Sequence, residues 1–362
     1  MILLQLVASS QINGSGRNGD AAEAEGDDEF IVAGYLPDYR AYINVNATSL
    51  HLTDVMLFSL TPEAVIRHSE SSSAGGCCLS REHYTLLRKA RSYKLLQQTK
   101  SRMRMLITIG GGGRSDGFGE IVTGSSSTRH EFLQRLIKIC KENEFDGVDL
   151  DFENIQTYDE WEAYLRFLIQ ASTFLHKHNF LATVALHPGQ FLPAQVCQSL
   201  DRVHVMAYDM ISRNSPTEHH ASLQSVKNVM SSFTSNGCPS AKLIMGVPAY
   251  GRHESHPGLV KTYEELISEF ISEQDGTQLD VKSAVNELNF WKGYRFDSAA
   301  DVKEKSEYAK RKKYGGIFLW ELGQDKQISG VADGGILIES ASSVVYNHFA
   351  QNEGDNAVND EL

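Results

Sequence analysis

Short β-branched or apolar runs alternate along the chain with longer stretches of helical period. The runs fall at residues 30–36, 54–60, 104–109, 147–152, 180–186, 203–206, 242–247 and 316–319, each a candidate strand. Between them, Phe132, Leu133, Leu136, Ile137 and Ile139 repeat at helical spacing within residues 128–143, and residues 158–178 read as another helix. Strand and helix in repeated alternation predict an α/β protein of the (β/α)8, or TIM, barrel type, with a doubly wound open sheet as the alternative. One long interval, 252–315, separates the last two strands. It is read as a small insertion between strands 7 and 8 (residues 252–299), followed by a helix near 300–313. The basic end of that helix, Lys310 to Lys313, is more simply a solvated terminus than a binding patch.

The folded barrel is expected over residues 30–350. Residues 1–29 read as a disordered tail or a weak secretion signal, and residues 351–362 as an acidic C-terminal tail. The 34 Lys and Arg against 46 Asp and Glu leave a formal charge of −12, which argues against a nucleic-acid partner. No window approaches the roughly 20 apolar residues of a membrane span. Acceptor triplets at Asn13 and Asn46, and a C-terminal Asn359-Asp360-Glu361-Leu362 one residue away from a retention signal, favour the secretory route, either secreted or held in the endoplasmic reticulum; a cytoplasmic location stays open. The five cysteines lack metal-site spacing and their pairing is open; Cys140 sits in an apolar helical stripe and reads as core.

The fourth strand carries the chemistry. Side chains alternate in a strand, so Asp149, Asp151 and Glu153 share one face while Val148, Leu150 and Phe152 take the other. In a barrel the apolar face meets the helices, which turns three acids inward. Successive same-face positions are about 6.7 Å apart, so Asp151 neighbours both other acids. Unpaired buried carboxylates are costly, and one of the three is expected to keep its proton near neutral pH. Glu153, nearest the C-terminal rim, is the candidate general acid. The bland reading is a half-exposed strand with its acids in water, which the parallel context disfavours.

Asp146-x-x-Asp149-x-Asp151-x-Glu153 resembles the signature of glycoside hydrolase family 18, the chitinase family. Thr108-Ile109-Gly110-Gly111, Met206-Ala207-Tyr208-Asp209, Gly246 to Arg252 and Gly315 to Glu321 resemble its third, sixth, seventh and eighth strands, in order. The resemblance implies retaining hydrolysis of β-1,4 linkages next to N-acetylglucosamine, in chitin or chitooligosaccharides, with the substrate's acetamido oxygen as nucleophile. It implies Glu153 as acid/base, Asp151 as the residue orienting the acetamido group, Asp149 sharing a proton with Asp151, and Tyr208 as a hydrogen-bonding partner. Tyr35, Phe58, Gly110, Gly111, Met206, Asp209, Arg252 and Trp320 would bind sugar, with Trp320 as the apolar floor. Taken alone, Trp320 and Met206 read as core and Tyr208-Asp209 as a strand-end turn.

No cofactor and no metal are expected. His253-Glu254-Ser255-His256 has the wrong spacing for a zinc motif, and Gly110 to Gly113 lack the Lys-Ser or Lys-Thr of a phosphate loop. His187 follows the fifth strand at the rim, where it could touch ligand, although a lone His is more often structural. Two departures from the family stand out. No Trp follows Gly110-Gly111, and the interval after strand seven is short for an α+β insertion, which together imply a shallower cleft for short or soluble chains. The rival readings are a non-catalytic chitooligosaccharide-binding lectin and an endo-β-N-acetylglucosaminidase acting on N-glycans. A monomer is expected.

Overall fold

The computed structural model of the chain describes residues 29–41, 52–67, 78–96, 103–211, 218–274, 281–328, 332 and 335–345. The expectations for residues 1–28, Asn13, Asn46, Cys77 and the C-terminal tail lie outside these. Strands β1 (Ile31–Pro37), β2 (Asp54–Leu60), β3 (Arg104–Gly110), β4 (Gly147–Asp151), β5 (Leu181–Leu186), β6 (Arg202–Val205), β7 (Leu243–Pro248) and β12 (Gly316–Trp320) close into a parallel barrel. β12 pairs with β1 from Ile31↔Gly316 to Gly34↔Leu319, so the first and last strands seal the cylinder. These strands match the eight expected from the apolar runs to within a residue or two at each end, and the open-sheet alternative falls.

Alternation builds two cores. Val32, Leu36, Val148 and Leu150 pack outward against the helices, whereas Ile31, Ala33, Tyr35, Met56, Leu106 and Phe318 fill the interior. Outside lie α1 (Pro62–Arg67), α2 (Arg81–Leu96), α3 (Phe118–Thr123), α4 (Ser126–Asn143), α5 (Tyr158–His176), α6 (Ala194–Ser199), α7 (Leu223–Ser235) and α10 (Ala299–Arg311). Their ends are written locally. Thr157 and Glu160 form a capping box at the start of α5, and Ser298 with Asp301 does the same for α10. Cys140 is buried in α4, as its stripe predicts, and Lys310 to Lys313 lie exposed.

At the N-terminal end of the barrel Asp54 is fully buried. It takes Arg104 Nε at 2.9 Å, Arg202 Nη1 at 2.5 Å and Thr53 Oγ1 at 2.6 Å. Burial pushes its carboxyl up, but the two guanidiniums outweigh that and hold it below the usual range. This ion cluster closes the bottom of the barrel.

The interval after β7 holds the expected small insertion and corrects one point of the sequence reading, that it is short for an α+β insertion. It holds a compact α+β unit made of β8 (Tyr250–His253), β9 (His256–Thr262), α8 (Tyr263–Glu273), α9 (Val281–Glu287), β10 (Phe290–Trp291) and β11 (Tyr294–Arg295). The sheet order is β10-β11-β8-β9, with antiparallel pairs. Two-residue strands and a two-turn helix are what let such a unit fit a short interval. A second feature that the sequence left open is a disulfide between Cys197 in α6 and Cys238 after α7.

Candidate active site

Asp149 and Asp151 on β4, and Glu153 just after it, sit at three depths. Asp149 is deepest, flanked in register by Thr108 on β3 and Thr183 on β5. Four groups surround its carboxylate: Thr183 Oγ1 donates at 2.6 Å, Tyr35 Oη at 2.8 Å and Thr108 Oγ1 at 3.2 Å, and His204 Nδ1 stands at 3.0 Å. Burial raises its pKa, and the His204, Thr183 and Tyr35 contacts together more than reverse that, so Asp149 titrates below the usual carboxylate range. No hydrogen bond joins it to Asp151; the expected proton-sharing contact is replaced by this ring of donors.

Asp151 is also buried, but without compensation. Its Oδ1 has no partner among the described residues, and its pKa is pushed well above the ordinary value by burial first, then by the charges of Glu153 and Asp149. This is the carboxyl expected to keep its proton. The ladder between β3 and β4 ends at Gly110↔Asp151, so Glu153 belongs to the loop rather than to the strand. Its side chain is 20% exposed, and its Oε2 lies 3.1 Å from His187 Nε2.

Gly110 and Gly111 explain why the strand stops there. Both have φ near +100°, and a Cβ on Gly110 would stand 2.1 Å from the Asp151 carbonyl oxygen while one on Gly111 would stand 2.2 Å from Phe58 Cζ. The Gly111 N–H donates to Asp151 O at 2.7 Å, and Ser115 Oγ lies 3.0 Å from both the Gly111 and Asp151 carbonyls.

Three rings form an aromatic corner beside the acids. Phe58 meets Trp320 edge-on with centroids 4.8 Å apart, and Tyr35 tilts against Trp320 at 5.2 Å. Opposite them Tyr208 packs between Tyr250 and Phe318. Asp209 accepts from Tyr250 Oη at 2.8 Å and from Arg252 Nε and Nη2 at 2.5 and 2.6 Å. Burial raises the Asp209 pKa, while the contacts with His220 and Arg252 pull it well below the usual range.

Together these groups enclose a cavity of about 240 Å³ at the C-terminal mouth of the barrel. Of the residues singled out from the sequence, Tyr35, Phe58, Asp151, Glu153, Met206, Tyr208, Asp209 and Trp320 line it, and so does His187. Asp149, Gly110, Gly111 and Arg252 do not; they hold the wall from behind. Tyr39, Arg114, Tyr250 and Phe318 line it as well and were missed. Tyr39 follows β1 at the rim, a position that barrel geometry alone could have flagged. Arg114 grips Asp38 through two bonds of 2.8 and 2.9 Å and lies over the Phe58 ring. Among the described residues no cluster of three or more His, Cys, Asp or Glu is placed to hold a metal, and no helix is long and apolar enough to cross a membrane.

The family profile described as glycosyl hydrolases family 18 matches residues 33–325. An endochitinase of Manduca sexta is 25% identical over 61% of this chain and 44% of its own, so the chain spans less than half of that relative. A class V chitinase of Medicago truncatula is 24% identical over 65% of this chain and 73% of its own. Among solved structures, a Cycas revoluta family 18 chitinase in complex with allosamidin superposes with a TM-score of 0.68 at 22% identity, covering 86% of this chain and 99% of that one, which is a likeness of fold.

Proposed function

The chain belongs to glycosyl hydrolases family 18, and from that premise we propose that it hydrolyses β-1,4 linkages beside N-acetylglucosamine in chitin or soluble chitooligosaccharides, with retention and with Glu153 as acid/base. The observation that carries this reading is the contrast along β4 and the loop that follows it. Asp149 is held ionised by a ring of contacts, Asp151 is buried with an unpartnered oxygen, and Glu153 reaches the cavity.

In the first step Glu153 gives its proton to the glycosidic oxygen, the C1–O bond breaks with its electrons going to that oxygen, and the acetamido oxygen closes on C1. Asp151 Oδ1, otherwise unsatisfied, accepts the acetamido N–H and keeps its oxygen aimed at C1. Positive charge on the cyclised intermediate is stabilised by the carboxylates of Asp149 and, after proton loss, Glu153. Water then attacks C1 from the face that the leaving group vacated, the bond from C1 to the acetamido oxygen breaks with its electrons returning to the acetamido group, Glu153 takes the water's proton, and two inversions give retention. Tyr208 supports the acetamido pocket, while Trp320, Phe58 and Tyr39 offer apolar faces to sugar rings.

The Cys197–Cys238 disulfide supports the secretory route, where such bonds persist. The test is to incubate the protein with tri- and tetra-N-acetylchitooligosaccharides, read the anomer of the fresh product by NMR, and repeat with Glu153→Gln. A β-anomer from wild type and none from the variant is expected. Cleavage only of N-glycans would move the endo-β-N-acetylglucosaminidase reading ahead, and binding without cleavage the lectin reading.

A further inference from the structure

Glu153 is held at two points. Its backbone N–H donates to Ser115 Oγ at 3.1 Å, which fixes the turn after β4, and its Oε2 meets His187 Nε2 at 3.1 Å. The histidine comes from an ordered turn of its own. His187 N donates to Gln190 Oε1 at 2.7 Å, Gln190 N donates back to His187 O at 3.0 Å, and Phe191 packs against Phe233. On the β3 side, a Cβ at Gly112 would lie 3.5 Å from Glu153 Oε2, and no side chain from that position presses on the carboxyl.

The other charged or titratable groups around the cavity are engaged elsewhere or are not basic. Arg114 is bound to Asp38, Asp209 to Arg252 and Tyr250, and Tyr35 to Asp149, while Asp151, Tyr39 and Tyr208 are not basic groups. His187 is thus the basic group set against the acid.

We infer that His187 is a positioning residue for the acid: its Nε2–H holds Oε2, leaving Oε1 to carry the proton that goes to the leaving oxygen. The inference rests on the reading of Glu153 as the acid. A carboxyl held on one oxygen presents its proton in one direction. Without the histidine, the group turns about its last bond and the proton can sit on either oxygen.

The effect has a chemical signature, because a poor leaving group needs the proton and a good one does not. The experiment compares kcat/KM for tri-N-acetylchitotriose, which expels a sugar, with that for the dinitrophenyl glycoside of di-N-acetylchitobiose, which expels a phenolate unaided. Wild type, His187→Ala, His187→Gln and Glu153→Gln are assayed side by side, with circular dichroism to verify folding. His187→Ala should lose about ten- to a hundredfold on the trisaccharide and little on the dinitrophenyl glycoside. His187→Gln, which retains an N–H donor, should recover much of the loss. An equal fall on both substrates, or no fall on the trisaccharide while Glu153→Gln is inactive on it, overturns the positioning role and leaves Glu153 in place. A Glu153→Gln variant that still cleaves the trisaccharide removes the reading of Glu153, and this inference with it.

Discussion

Tyr35 on β1 reaches across the barrel interior to Asp149 on β4, with its hydroxyl 2.8 Å from Oδ2. The same hydroxyl lies 3.0 Å from His204 Nδ1, so one phenol touches both the deepest acid and the histidine beside it. Tyr35→Phe preserves the packing and removes the donor, leaving a buried carboxylate short of one hydrogen bond. We expect a loss of about 1–3 kcal/mol in urea denaturation. The Asp149 pKa should also rise, so the acid-side fall of activity should begin at a higher pH than in wild type.

Two buried aspartates should affect stability with opposite pH dependence. Asp54 titrates below its unfolded value, so its contribution is present above the unfolded pKa and is lost as pH falls through the folded one. Asp54→Asn leaves Arg202 without its carboxylate and should cost about 3–5 kcal/mol near neutrality, the deficit shrinking in acid. Asp151 titrates above its unfolded value, so wild type loses stability as pH rises from the ordinary carboxylate range toward the raised one. Asp151→Asn escapes that loss. Its melting temperature relative to wild type should climb between acid and neutral pH, and a flat difference would contradict the burial argument.

Gly111 has no room for a side chain: φ is +101° and Phe58 Cζ stands 2.2 Å from where a Cβ would be. Gly111→Ala must displace Phe58 and strain the turn that meets Asp151. We expect at least about 1–3 kcal/mol of destabilisation from the backbone conformation alone. Ring displacement should show as weakened binding of chitooligosaccharides by calorimetry, since Phe58 meets Trp320 edge-on.

The Cys197–Cys238 bridge closes a segment with a sequence separation of 41. By the chain-entropy argument a loop of that size contributes about 3–4 kcal/mol. Cys197→Ser with Cys238→Ser, or a reductant, should lower the melting temperature without changing KM, because neither residue lines the cavity. An unchanged melting temperature under reduction would count against the bridge.

The strands were legible because apolar runs recur at barrel spacing, and the inward turn of Asp149 and Asp151 followed from Val148 and Leu150 needing the helices. The partners of those acids were not legible. His204 reaches Asp149 through the lateral order of β4, β5 and β6, which no local pattern states. Tyr39 and Arg114 come from separate loops and meet only once β1 and β3 flank β2. Cys197 and Cys238 meet because the chain after α7 returns beside α6. Arg252 was read as touching sugar; its grip on Asp209 was not read, because that contact depends on where β8 leaves the barrel. The insertion was misjudged by length, since strands of two residues leave almost no periodic trace.

That last unit is tied to the wall of the candidate site by β8. Tyr250 and Arg252 belong to the small sheet, pairing with β9 and, for Arg252, with β11, yet their side chains are what secure Asp209 on the rim after β6. The unit is therefore not an ornament that could be excised to leave a minimal working barrel. Cutting out residues 254–295 would remove the neighbours that keep β8 in place, and Asp209 would lose its grip on the mouth of the site. The lengths of the outer turns can drift, but the joint at β8 commits both halves to change together.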